Sequence, residues 1–213
     1  MEAITDWIVI AGVAILLTIV VASWLASYRM PRTAPVRSGD WFFVLPVWAQ
    51  IVGGLAACKL LASLGYWLWI PLPLALAHDA DAILRIVGLA LFLVGWALVL
   101  WARWTLGTLY GVSTSFAAPL QAQHRLIQHG PYARVRHPMY LGYWLLLAGV
   151  MLIFRTWTPF LFFVICLASF YRRARREELA LAERFGAAWH AYAARTGFLV
   201  PSMRPPNRKD TDA

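Results

Sequence analysis

The polar positions of this chain come in bursts between apolar runs, and the runs have the length of membrane helices. Trp7–Tyr28 holds 22 residues without a charge, about 33 Å as a helix and enough to cross a bilayer core. A second run begins near Trp41 and reaches about Leu64 or Ile70, where Pro71 and Pro73 stop it. Within it, Gly53-Gly54 predicts a close helix approach. The third covers about Ile83–Trp101. The fourth, Met139–Tyr171, is 33 residues long but broken at Arg155-Thr156-Trp157-Thr158-Pro159. An arginine in mid-membrane is costly, so the break predicts two short antiparallel helices, about 139–154 and 158–171, turning near the outer surface. Beyond Arg172, the residues Glu178, Leu181, Phe185, Trp189 and Tyr192 recur at three- and four-residue spacing, one face of a single amphipathic helix. The pattern therefore predicts an all-α, polytopic integral membrane protein. It has about five transmembrane helices, including a short C-terminal helical hairpin, plus a cytoplasmic amphipathic helix. Residues 1–200 form one membrane domain, and the polar, proline-bearing segment 201–213 reads as a disordered tail.

Composition agrees with this: 61% of the 213 residues are hydrophobic and 14% charged, outside the range of soluble domains. The acidic start (Glu2, Asp6) and the length of the first run argue against a signal peptide. The net charge of +9 is explained by topology rather than by nucleic acid, which is excluded as a partner. Of 19 Lys and Arg, three fall in 29–40, four in 102–138 and nine in 172–213. Five crossings put these stretches on one side and Glu2, Asp6, Asp79 and Asp81 on the other. The positive-inside rule then places the N-terminus outside and the C-terminus in the cytoplasm, in the cell inner membrane. Lys59, inside the second span, either snorkels to an interface or faces a polar interior. Cys58 and Cys166 lie in apolar runs without a paired motif and read as buried free thiols, so no metal site is expected.

Candidate chemistry concentrates in two clusters. In His124–Gly142, a Gly130-Pro131 turn and the element Arg136-His137-Pro138 stand at the mouth of an apolar helix. Pro138 suits a first helical turn, and the free N–H groups of that terminus favour an anionic ligand group. Tyr132 and Tyr140 are placed to line the same pocket. The alternative is a capped helix whose Arg136 snorkels. In the second cluster Glu177 and Glu178 lie among Arg172, Arg173, Arg175 and Arg176. Arg173 with Glu177 and Arg175 with Glu178 are spaced as ordinary helix-surface ion pairs. Yet acidic residues at a membrane exit do not serve orientation. A glutamate there can hold a cationic group, and an arginine can clamp a carboxylate.

The pattern His124-x-Leu126-Ile127-x-x-Gly130-Pro131-Tyr132, then Arg136-His137-Pro138-x-Tyr140-x-Gly142, resembles the isoprenylcysteine carboxyl methyltransferase family and its phospholipid methyltransferase relatives. So does Glu177-Glu178-x-x-Leu181-x-x-x-Phe185-Gly186-x-x-Trp189-x-x-Tyr192. The resemblance covers residues 124–192. It implies a membrane enzyme that uses S-adenosylmethionine without a metal and methylates a lipid-like acceptor, foremost the carboxylate of an isoprenylcysteine-type substrate. By position it implies a cofactor pocket of His124, Leu126, Ile127, Tyr132, Arg136, His137, Pro138, Tyr140, Glu177 and Glu178. Arg173 lies toward the acceptor and, with Glu178, is the implied catalytic pair. Ala117 stands where family members active on prenylcysteine tend to carry a polar residue. A carboxylate acceptor needs only orientation by Arg173. An amine or phenol needs a proton removed, with Glu178 or His137 as the candidates. Phospholipids, other isoprenoid lipids and short prenyl thiols are compatible acceptors, and the oligomeric state is left open. Two rival readings are an NADPH-dependent membrane reductase, whose similar His-Pro-x-Tyr element usually has Asn where this chain has Met139, and a non-catalytic membrane scaffold.

Overall fold

The computed structural model describes residues 2–27, 46–74, 77–107 and 126–201, and every extended element among them is helical. The helices are α1 (Glu2–Ser27), α2 (Val47–Trp67), α3 (His78–Leu106), α4 (Pro138–Phe154), α5 (Trp157–Phe185) and α6 (Ala187–Arg195), with a 3-10 turn at Gly130–Ala133 before α4. Two stretches have the length and hydropathy of a full membrane span, Ala3–Ala22 and Asp79–Leu106; Ile51–Trp67 and Pro138–Phe154 are shorter apolar helices.

Backbone chemistry accounts for the ends. Helix α3 carries Asp79 and Asp81 in its first turn and Arg103 in its last, the arrangement that complements the helix dipole. Pro138 opens α4, and Arg155 closes it in the left-handed conformation with φ 46°. Helix α5 corrects one expectation. It does not end near residue 171 but runs 29 residues without a break, through the arginine–glutamate cluster to Phe185. Nor is the amphipathic stretch a single helix. Gly186, at φ 51° and ψ −122°, turns the chain in a region open to glycine alone, so Trp189 and Tyr192 belong to α6.

The core is the antiparallel pair α3–α4. A Cβ added to Gly95 would lie 2.5 Å from both the Gly142 carbonyl oxygen and the Leu146 amide nitrogen. One added to Gly149 would lie 2.5 Å from the Gly88 oxygen and 2.6 Å from the Phe92 nitrogen. Two glycines seven residues apart on each helix thus face each other, and the backbones touch. Small residues give this close approach where lipid leaves little hydrophobic force between helices. Gly54, from the pair expected to do this, meets nothing within 4 Å. Phe92, Leu146 and Ile153 join Val9 of α1 in the buried cluster, and Trp96 Nε1 donates to the Gly12 carbonyl at 3.1 Å.

Helix α2 keeps Trp48, Leu55, Leu61 and Trp67 exposed. Its C-terminal end is tied to the α4–α5 turn: Thr158 Oγ1 donates to the Gly65 carbonyl at 2.6 Å, and Leu72 N to the Arg155 carbonyl at 2.8 Å. At this same end Arg155 pairs with Asp81 of α3, which accounts for an arginine between two apolar helices. Lys59 is exposed on α2 among the described residues. Cys58 is exposed and Cys166 half-buried, which corrects their reading as buried thiols; an apolar run that faces outward exposes its cysteine with the rest.

Candidate active site

At the opposite end of the α3–α4 pair, the start of α4 meets the second half of α5. Arg136 is the hub. Its Nε donates to Glu178 Oε1 at 2.6 Å, and its Nη1 to the carbonyls of Ala193 (2.8 Å) and Thr196. One guanidinium fork thereby fastens α5 and the end of α6 to the threshold of α4. Arg175 Nη1 reaches the other oxygen of Glu178 at 3.2 Å. His137, whose side chain is 5% exposed, lies between the carboxylates: Nδ1 is 3.7 Å from Glu177 Oε2 and Nε2 is 3.6 Å from Glu178 Oε1. The second distance exceeds hydrogen-bond reach, and Nε2 has no hydrogen-bond partner among the described residues. Tyr140, one turn into α4, donates its hydroxyl to Glu177 Oε1 at 2.5 Å, and Arg173 Nε stands 3.7 Å from the same oxygen.

The two glutamates are adjacent in sequence but differ in environment. Glu178 keeps 12% of its side-chain surface and Glu177 34%. Burial pushes Glu178 upward, but the nearby imidazole of His137 and the hydrogen bond and charge of Arg136 outweigh it and hold the carboxyl below its ordinary range. For Glu177 burial prevails over the Tyr140 hydrogen bond and the charges of His137 and Arg173, and the carboxyl lies above its ordinary range.

A strap closes one side. Arg136 N donates to the Gly197 carbonyl at 2.8 Å, His137 N to the Phe198 carbonyl at 3.3 Å and Gly197 N to the Arg134 carbonyl at 3.2 Å. Phe198 thereby sits edge-on to His137, with ring centroids 5.1 Å apart, beneath the guanidinium of Arg136 at 5.8 Å. Toward the apolar interior the Tyr140 ring stacks on His137 and on Phe170, and Phe170 meets Tyr143. Trp144 Nε1, on α4 one turn beyond Tyr140, is buried without a hydrogen-bond partner among the described residues.

Of the residues singled out from the sequence, Arg136, His137, Pro138, Tyr140, Arg173, Glu177 and Glu178 converge here. Tyr132 stands alongside, its carbonyl accepting from the Tyr192 hydroxyl at 2.8 Å. Leu126 and Ile127 are half-buried in the segment that leads to the 3-10 turn. His124 and Ala117 lie outside the described residues. The surface ion pairs exist, Arg173–Glu177 and Arg175–Glu178, but both glutamates also engage α4. Sequence reasoning missed Phe198, Phe170 and Trp144. The apolar run Phe198-Leu199-Val200 ahead of a polar tail was the signal for the strap; the other two are indistinguishable from lipid-facing aromatics by pattern alone.

Residues 83–188, about half of the chain, match the phospholipid methyltransferase family. The chain is also 28% identical over 171 residues to the methanethiol S-methyltransferase of Pseudomonas deceptionensis. That match covers 77% of this chain, which spans 64% of the relative's own length.

Proposed function

Because the chain belongs to the phospholipid methyltransferase family, we propose that this membrane methyltransferase uses S-adenosylmethionine to methylate a small apolar thiol. The reaction takes place where α4 and α5 meet, at the cytoplasmic membrane face. The observation that carries the reading is the convergence of Arg136, His137 and Tyr140 from the start of α4 with Glu177 and Glu178 from the second half of α5.

These residues fit the cofactor. The Glu178 carboxylate suits its cationic groups. The amides of Met139 and Tyr140, which have no intrahelical acceptor in the first turn, suit a carboxylate. The buried His137 Nε2 lacks a hydrogen-bond partner that a ligand could supply. When bound, S-adenosylmethionine supplies a methyl group activated by the adjoining sulfonium. The chain's own part is to hold and orient. Arg136 keeps Glu178 in place, Phe198 and Tyr140 flank His137, and the Tyr140–Phe170–Tyr143 rings offer an apolar approach for the acceptor. Holding two reactants in attack geometry is the main source of rate in such a site.

The thiol reading draws on the relative named above and on Arg173, whose charge already faces Glu177 at 3.7 Å. The second reading is the carboxylate of an isoprenylcysteine-type acceptor, which an arginine beside the site favours. Purified protein with labelled S-adenosylmethionine should methylate short alkanethiols in preference to a prenylcysteine analogue or phosphatidylethanolamine vesicles. Methylation of the prenylcysteine analogue alone would transfer the assignment to the second reading.

A further inference from the structure

We propose that Glu177 is the catalytic base of this site, its carboxylate taking the proton of the acceptor thiol through Oε2, while Glu178 serves to hold the pocket together. The inference rests on the thiol reading, since a carboxylate acceptor has no proton to give up at neutral pH.

The other titratable groups are either committed to partners or, like His137, closed off from an approaching acceptor. Glu178 Oε1 receives Arg136 at 2.6 Å and faces His137 at 3.6 Å, its Oε2 receives Arg175 at 3.2 Å, and only 12% of the side chain is exposed. His137 is 5% exposed and flanked by the rings of Tyr140 and Phe198. The Tyr140 proton is spent on Glu177 Oε1. Glu177 differs on each count. Its Oε1 is anchored by Tyr140, whereas its Oε2 has His137 Nδ1 at 3.7 Å, beyond hydrogen-bond reach, and retains acceptor capacity. Its side chain is 34% accessible, nearly three times as open as Glu178. It also stands beside the Tyr140–Phe170–Tyr143 rings by which an apolar molecule would approach.

The charged and titratable groups facing it are His137 and Tyr140 from the start of α4 and Arg173 from α5. Burial, which raises its proton affinity against their influence, narrows the gap to a thiol, a far weaker acid than an ordinary carboxyl. The step is a proton transfer. The S–H bond breaks, its electron pair stays on sulfur, and the proton bonds to Oε2, leaving a thiolate and a neutral Glu177 that later returns the proton to water.

The test compares full-length wild type, Glu177→Gln and Glu178→Gln, with butanethiol as acceptor, between pH 5.5 and 10. The amide of Glu177→Gln still accepts from Tyr140, so fold and donor binding should survive; calorimetric S-adenosylmethionine affinity within about threefold of wild type checks this. Turnover at pH 7 should fall about 10²- to 10⁴-fold, the range general bases supply. The deficit should then shrink roughly tenfold per pH unit as the thiol ionises by itself. In wild type the infrared carboxyl band that titrates above the ordinary glutamate range should vanish in Glu177→Gln and persist in Glu178→Gln. A Glu177→Gln enzyme with wild-type turnover and pH profile, or one with a deficit equal at every pH, would overturn the assignment. Loss of donor binding in that variant would also overturn it, by making Glu177 a cofactor contact. A wild type that methylates prenylcysteine but no thiol would instead remove the reading on which it rests.

Discussion

Replacing Gly95 with alanine is the sharpest test of the α3–α4 contact. The added Cβ would stand 2.5 Å from the Gly142 oxygen and 2.5 Å from the Leu146 nitrogen, both backbone atoms of α4. Ordinary carbon–oxygen contacts between helices are about 3.3–3.6 Å, so the axes must part by roughly 1 Å. No rotamer change can relieve the clash. Overpacking of this kind costs about 1–3 kcal/mol, offset by the ~0.5–1 kcal/mol that alanine gains over glycine in a helix. Gly54→Ala, whose Cβ meets nothing within 4 Å, receives the gain without the cost. Thermal unfolding of the two variants in the same detergent should therefore differ by about 2 kcal/mol, roughly 4–8 °C for a chain of this size. Turnover should fall as well, since a displacement of ~1 Å at the start of α4 can cost on the order of 10²-fold. A Gly95→Ala protein that melts at or above Gly54→Ala would refute the backbone contact.

Other outcomes follow from the same geometry. Arg136→Lys keeps the charge but loses the fork shared by Glu178, Ala193 and Thr196; cofactor affinity by calorimetry should drop at least tenfold, and an unchanged affinity would count against the hub role. The Glu178 carboxyl is held below its unfolded value, so it contributes stability above that value that is lost as pH falls through the lowered one. Melting curves from pH 7 to pH 3 should show an acid-side drop that Glu178→Gln flattens. Gly186→Ala places a side chain at φ 51° and ψ −122° and should cost about 1–3 kcal/mol in thermal stability. Asp81→Asn leaves the 15%-exposed Arg155 without its ion pair and should lower the melting temperature while cofactor affinity holds.

The hydrophobic rhythm made much of the fold legible, because apolar runs of helix length and an interrupting arginine have few membrane solutions. Arg155 was read as a turn residue and stands at one, its cost met by Asp81 from a helix that pattern alone does not bring near. The continuity of α5 was harder to see. Hydropathy drops at Arg172, but a change of solvent does not break a helix, and the break comes at Gly186, where φ demands glycine. The glycine pair that mattered was not the adjacent Gly53-Gly54 but four residues at heptad spacing on two helices, visible only once the partners are known. At the site, the two motifs named most of the converging residues. What they could not supply was the difference in environment between neighbouring glutamates, since that depends on which neighbour Arg136 grips and on a strap contributed by Phe198.

The glycine register also sets depth. With Gly95 opposite Gly142 and Gly88 opposite Gly149, Pro138 falls level with Val99, seven residues short of the end of α3 at Leu106, or about 10 Å along the axis. The start of α4 is thus sunk below the rim that α3 defines. Under the proposed function, the acceptor concentration that governs turnover is the one dissolved in lipid. Each methylene raises that concentration about fourfold, from ~0.8 kcal/mol of transfer free energy. A homologous series of thiols would then be ranked by the bilayer before any side chain discriminates among them, and the apparent KM, expressed per volume of water, would report partitioning as much as recognition.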